Sequence, residues 1–105
     1  MSGWIKLHRK LIDSPVFDND KLLRVWVWCL LRASHKERTV LVGLQEVTLN
    51  PGEFIFGRDS AAQQLKLPPS TVYRLMKKLE DPLGNLVIKA SSKYSVISIV
   101  NWGNY

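Results

Sequence analysis

Six polar residues, Ser70, Thr71, Tyr73, Arg74, Lys77 and Lys78, alternate with Val72, Leu75, Met76 and Leu79 at the spacing of an amphipathic helix. Coiled as a helix, the apolar four turn inward. Two hydroxyls, one phenol and three cations then share the outer face. Hydroxyls and backbone N–H groups at a helix N-terminus suit phosphate contacts. Arginine can pair bidentately with a guanine edge, and tyrosine can reach a phosphate or a thymine methyl. Lys89 and Lys93 add two cations further along the chain. No other residues assemble into a reactive set. His8, His35 and Cys29 lack ligand-like spacing, so no metal site is expected. Gly43, Gly52, Gly57 and Gly84 are isolated turn residues rather than a phosphate loop, and no Ser/His/Asp or paired-carboxylate arrangement stands out. Neither enzymatic activity nor a cofactor is expected.

The elements around these residues would position them for such contacts. Residues 58–81 read as a helix, a tight turn and a second helix. Ser60 with Gln63 fits a capping box, while Ala62 and Leu65 give the first helix a small packing face. Lys66-Leu67-Pro68 breaks that helix, and Pro69, whose missing N–H is not needed at a first helical position, starts the next over residues 69–81. Where helix–turn–helix motifs often carry Gly in a left-handed conformation, this chain has Lys66.

After Pro82-Leu83-Gly84-Asn85, residues 86–90 and 94–100 read as two strands joined by Ser91-Ser92-Lys93, a hairpin wing beside the helix. Lys89 and Lys93 would there meet a phosphate backbone, or else guard an edge strand against aggregation. A solvated helix face has a composition like that of residues 70–78. The helix and turn before it and the hairpin after it favour contact with double-stranded DNA.

The first half reads as scaffold. Trp4, Leu7, Leu11 and Ile12 recur at helical spacing before Ser14-Pro15, predicting a short amphipathic helix over residues 3–12. A second helix, capped by Asp18 or Asp20, runs through Leu22, Trp26 and Leu30 to Ala33 and is apolar nearly all round, as a central buried helix should be. Its tryptophans read as packing elements and Cys29 as a small core hydrophobe. Residues 40–42 and 47–49 flank Gly43 as a hairpin. Asn50-Pro51-Gly52-Glu53 has the pattern of a type II turn leading into a strand at 54–56. Trp102 is expected to tuck against the core.

Composition sets the bounds. The 105 residues, 46% hydrophobic and 23% charged, suit one domain over residues 1–105 with a core that needs no disulfide or metal. Fifteen Lys and Arg against nine Asp and Glu leave +6, a balance that favours polyanionic partners. Residues 1–57 hold eight basic and six acidic groups against seven and three in residues 58–105, so the excess is larger in the second half. Lys6, His8, Arg9 and Lys10 interrupt any signal-peptide pattern, and the longest apolar run, residues 25–31, is too short to span a bilayer. A cytoplasmic, nucleoid-associated protein without a membrane partner is expected.

The opening Gly-Trp-Ile-Lys-Leu-His-Arg-Lys, the Pro-Gly-Glu-Phe-Ile-Phe-Gly-Arg segment, the Ser-Thr-Val-Tyr-Arg-Leu-Met-Lys-Lys-Leu-Glu helix and the closing Ile-Val-Asn-Trp together resemble a known family. They are similar to the N-terminal domain of phage replisome organisers and DnaD-like replication initiation proteins. The resemblance spans essentially the whole chain. It implies a winged-helix fold, a role in replication initiation, self-association, and often a further helical domain that contacts DNA or helicase-loading partners. The combined expectation is an α+β winged helix-turn-helix of three to four helices with a small antiparallel sheet and a wing, binding DNA as a homodimer. A transcriptional regulator using the same surface is one alternative. An oligomerisation or protein-docking scaffold, with the Trp-rich N-terminal half as its interface, is another.

Overall fold

The computed structural model describes residues 4–105. Its centre is α1 (Asp20–Arg32), whose Val25, Trp26, Cys29 and Leu30 are all buried. Asn19, rather than either neighbouring aspartate, caps this helix, its side-chain oxygen accepting from Leu22 N at 2.9 Å. Ala33 ends it with an extended backbone.

The helix expected over residues 3–12 does not form. Gly3 lies outside the described residues. Residues 4–8 are irregular, and only a short 3-10 turn (Arg9–Asp13) follows, opened by the His8 ring accepting from Lys10 N. Two contacts account for the difference. Lys6 N donates to the carbonyl of Tyr105 at 3.0 Å, tying the segment to the chain's other end. Ser14-Pro15 then closes off the run before a helix long enough to repay its nucleation could grow. Trp4, Leu7 and Ile12, expected on a packed face, are exposed.

A two-stranded hairpin follows, β1 (Arg38–Val42) and β2 (Gln45–Leu49), joined by Gly43 and Leu44. Gly43 supplies the positive φ (64°) that such a two-residue loop needs. Among the described residues, this hairpin shares no ladder with another strand and forms a sheet of its own. At its root the Arg38 guanidinium donates to Ser34 Oγ at 3.1 Å, and Leu49 is buried. Leu41 and Leu44 stand in solvent.

The expected type II turn is present, with Gly52 at φ 85° and Glu53 N donating to the Asn50 carbonyl. Gly52 has a second reason to be glycine. A Cβ there would lie 2.7 Å from Trp102, which packs over the turn as expected. The second sheet holds β3 (Glu53–Phe56), β4 (Leu86–Ala90) and β5 (Ser95–Ile99) in the antiparallel order β3-β5-β4. Alternation puts Phe54, Ile97, Leu86 and Ile99 on the face that builds the core. Trp28 stacks edge-on against Phe54 and Phe56, so α1's tryptophans do pack.

Between the strands lie α2 (Arg58–Leu65) and α3 (Pro69–Glu80). The capping box does not form, because α2 begins two residues before Ser60: Gly57 is extended and its carbonyl accepts from Ala61 N. Lys66 takes the left-handed conformation (φ 56°) at the turn, and Pro69 opens α3. Val72, Leu75, Met76 and Leu79 are all buried, Met76 Sδ lying 3.6 Å from Cys29 Sγ. The described residues form a small α+β domain of three α-helices and two antiparallel sheets. Among the described residues, no helix is long and apolar enough to cross a membrane.

Candidate nucleic-acid interface

Burial of the apolar stripe fixes what α3 shows outside. Ser70, Tyr73, Arg74, Lys77 and Lys78 are exposed and Thr71 half-buried. The first turn has no side-chain cap, so its backbone N–H groups are open to an outside acceptor beside Ser70 and Thr71. Among the described residues, neither Arg74 nor Lys78 has an acidic partner.

Lys77 is placed differently. Its ammonium lies 3.0 Å from Glu80 Oε1, and this bond holds the lysine's pKa above its ordinary value. Glu80 Oε2 accepts from the backbone N–H of Ile88 in β4 at 2.8 Å. That bond first, and Lys77 second, keep the Glu80 carboxyl below the usual glutamate range. Lys77 therefore contributes to the α3 face only by leaving a partner.

The two hairpin lysines separate. Lys93 sits in the loop Ser91–Tyr94, closed by Ser91 N and Oγ both donating to the Tyr94 carbonyl at 2.8 Å. Together with Arg58, Tyr73, Ser91 and Tyr94 it lines a shallow notch of about 220 Å³ between the hairpin and the helices. Lys89 is not brought to this place. It is paired with Val96 on the sheet face opposite the core, and its ammonium lies 3.9 Å from the Glu53 carboxylate. Strand alternation decides this: in the β4 register, Ile88 takes the inner face and its neighbour the outer one.

The arrangement also recruits residues not singled out by pattern. The Arg58 guanidinium lies over the Tyr73 ring, 4.8 Å from its centroid, which joins the start of α2 to the exposed face of α3. Arg58 occupies the first turn of α2, where the helix dipole disfavours a cation. Lys77 and Lys78, in the last turn of α3, sit where the dipole favours them. That contrast was a signal in the sequence, since a cation at a helix start has no helical reason to be there. Tyr94 carried no such signal.

Arg58, Arg74, Lys78 and Lys93 are exposed cations, of which Arg58 and Lys93 share the notch with Tyr73 and Ser91, while Arg74 and Lys78 follow Ser70 along the outer face of α3. Ammonium and hydroxyl groups are chemically suited to phosphate oxygens, and a planar guanidinium to a base edge. Among the described residues, no cluster of His, Cys, Asp or Glu could hold a metal ion. No protein-family model, curated protein or solved structure matches the chain.

Proposed function

We propose that the chain is a winged-helix DNA-binding domain that acts in the initiation of phage or plasmid DNA replication. In this reading α3 is the recognition helix, entering the major groove of double-stranded DNA, and β4–β5 is the wing lying on the phosphate backbone. One observation carries it. The outward face of α3 presents Ser70, Tyr73, Arg74 and Lys78 next to a hairpin loop that holds Lys93, and the Arg58–Tyr73 stack bridges the two. Arg74 is assigned to base edges. Arg58, Lys78 and Lys93 are assigned to phosphates, and the uncapped first turns of α2 and α3 supply N–H donors beside them. Lys89 has no part in it, given its place beside Glu53.

The order helix, tight turn, helix, hairpin, with β3 completing a three-stranded sheet, supports the winged-helix assignment. The resemblance to replisome organisers supports replication over transcription. It also carries the expectation of a homodimer and of helicase-loading or other replisome proteins as partners.

The test is fluorescence anisotropy of a labelled duplex across a salt series. The expected result is a steep fall in affinity with salt, and a loss of about 1 to 3 kcal/mol for Arg74→Ala on the preferred site. Binding unchanged when Arg74, Lys77 and Lys78 are removed together defeats the reading. Sites clustered in an origin favour replication, whereas sites overlapping a promoter favour a transcriptional regulator.

A second reading, a scaffold for self-association, draws on the separate hairpin, where Leu41 on β1 and Leu44 in the loop are exposed and, among the described residues, no third strand pairs with the two. Trp26 does not belong to such an interface, being buried in the core. Sedimentation equilibrium of the wild-type protein and of Leu41→Ser/Leu44→Ser tests it. A monomer in both cases excludes it.

A further inference from the structure

A hairpin is useful beside a recognition helix only if its angle to that helix is fixed. β4 is an outer strand, so N–H groups pointing away from β5 have no strand to receive them. One of these, Ile88 N–H, is received by Glu80, the last residue of α3. The ladder with β3 holds β5 within its sheet, but between α3 and the hairpin the backbone bonds among the described residues lie at the root alone: Leu83 N to the Lys78 carbonyl, Gly84 N to that of Glu80, and Asn85 N to that of Leu79. Beyond the root, Glu80 to Ile88 is, among the described residues, the one side-chain hydrogen bond between α3 and the hairpin.

The carboxylate stands in an unfavourable place for phosphate binding. It takes up Lys77 at 3.0 Å and lays a negative charge beside the cationic face. Water would satisfy an edge amide without that penalty. A carboxylate offers what water does not, a fixed distance from α3 and a charge-assisted bond that tolerates little play.

We propose that Glu80 is a positioning residue that sets the hairpin against α3, so that Lys93 and Arg74 meet the same duplex. The inference rests on the duplex-binding reading given above. Lys77 is the second arm of the brace: it holds the carboxylate from the solvent side while Ile88 N–H holds it from the strand.

Glu80→Gln and Glu80→Ala both remove the charge, but only glutamine keeps an acceptor for Ile88 N–H, so their difference isolates positioning from electrostatics. Two measurements are needed. By hydrogen exchange on the free protein, Ile88 N–H is protected in the wild type and in Glu80→Gln, and exchanges about tenfold or more faster in Glu80→Ala. By duplex titration, Glu80→Gln binds at least as tightly as the wild type. Glu80→Ala binds more weakly than Glu80→Gln, and its salt dependence is shallower by about 0.9 in log–log slope, the loss of one phosphate contact. Lys93→Ala lowers the slope by the same amount, and combining it with Glu80→Ala lowers it no further.

Independent, additive losses from Glu80→Ala and Lys93→Ala overturn the proposal, as does equal binding by the glutamine and alanine variants. If the alanine variant does not fold, the wild-type and glutamine proteins still decide, because rapid Ile88 exchange in both means that Glu80 holds nothing. The exchange experiment needs no nucleic acid. Absence of duplex binding by the wild-type protein thus defeats the functional reading, whereas fast Ile88 exchange defeats the positioning role.

Discussion

The guanidinium of Arg58 rests 4.8 Å from the ring centroid of Tyr73, joining the first residue of α2 to the exposed side of α3. Neither residue is buried, so the pair is worth about 0.5 to 1 kcal/mol to stability. Its larger effect is to hold a long, flexible cation in one place at the edge of the notch.

Arg58→Ala is therefore expected to weaken duplex binding by a similar factor on every sequence and to lower the salt slope by about 1, the signature of a phosphate contact. Tyr73→Phe keeps the stacking face, and should leave that slope as in the wild type. Anisotropy titrations on two unrelated duplexes distinguish this from base reading, which would show as a loss on one sequence alone.

Gly52→Ala combines two faults, a side chain at φ 85° and a Cβ 2.7 Å from Trp102. Left-handed strain contributes about 1 to 2 kcal/mol, and displacing the indole adds to it. Urea denaturation should show a lower midpoint with an unchanged slope.

Lys66→Gly acts in the opposite direction. The lysine at φ 56° carries left-handed strain that glycine lacks, although glycine gives the unfolded chain more freedom. The balance favours glycine by up to about 1 kcal/mol, seen as a higher denaturation midpoint. Duplex binding should fall slightly, through the loss of one surface charge.

The Glu80 carboxyl has a lowered pKa in the folded protein, chiefly through Ile88 N–H and then through Lys77. A lowered folded value means that ionised Glu80 contributes its full stability above the ordinary glutamate pKa. That contribution declines as pH falls from there through the folded value. Asp81, beside it in sequence, also acts on Lys77. Ile88 amide protection, corrected for intrinsic exchange, should hold steady down to the ordinary glutamate range and fall below it. In Glu80→Gln it should not change there.

Much of the scaffold could be read from residue order because local and tertiary preferences agree. In α3, Pro69 at the start and four apolar residues at three- and four-residue spacing leave one arrangement, and all four are buried. The Asn50–Glu53 turn was equally legible, since Pro and Gly fit only a narrow set of angles. Legibility failed where distant contacts decided the outcome. Lys6 N bonds to Tyr105, across the length of the chain, and no local pattern announces it. For α2, Ser60 and Gln63 had the right spacing for a cap, but the extended backbone at Gly57 started the helix earlier. Lys89 and Lys93 are alike as residues, and only strand parity and the loop's position separate them. The Arg58–Tyr73 pairing joins two elements whose relative placement is set by the core.

Cys29 is the chain's single thiol, wholly buried in α1 against Met76 of α3, and burial pushes its pKa upward. Alkylating reagents can reach it only when those two helices part. The rate at which the native protein loses its free sulfhydryl is thus an internal clock for core opening, readable by mass spectrometry without an engineered label. Fraying at the hairpin tips leaves that clock unmoved.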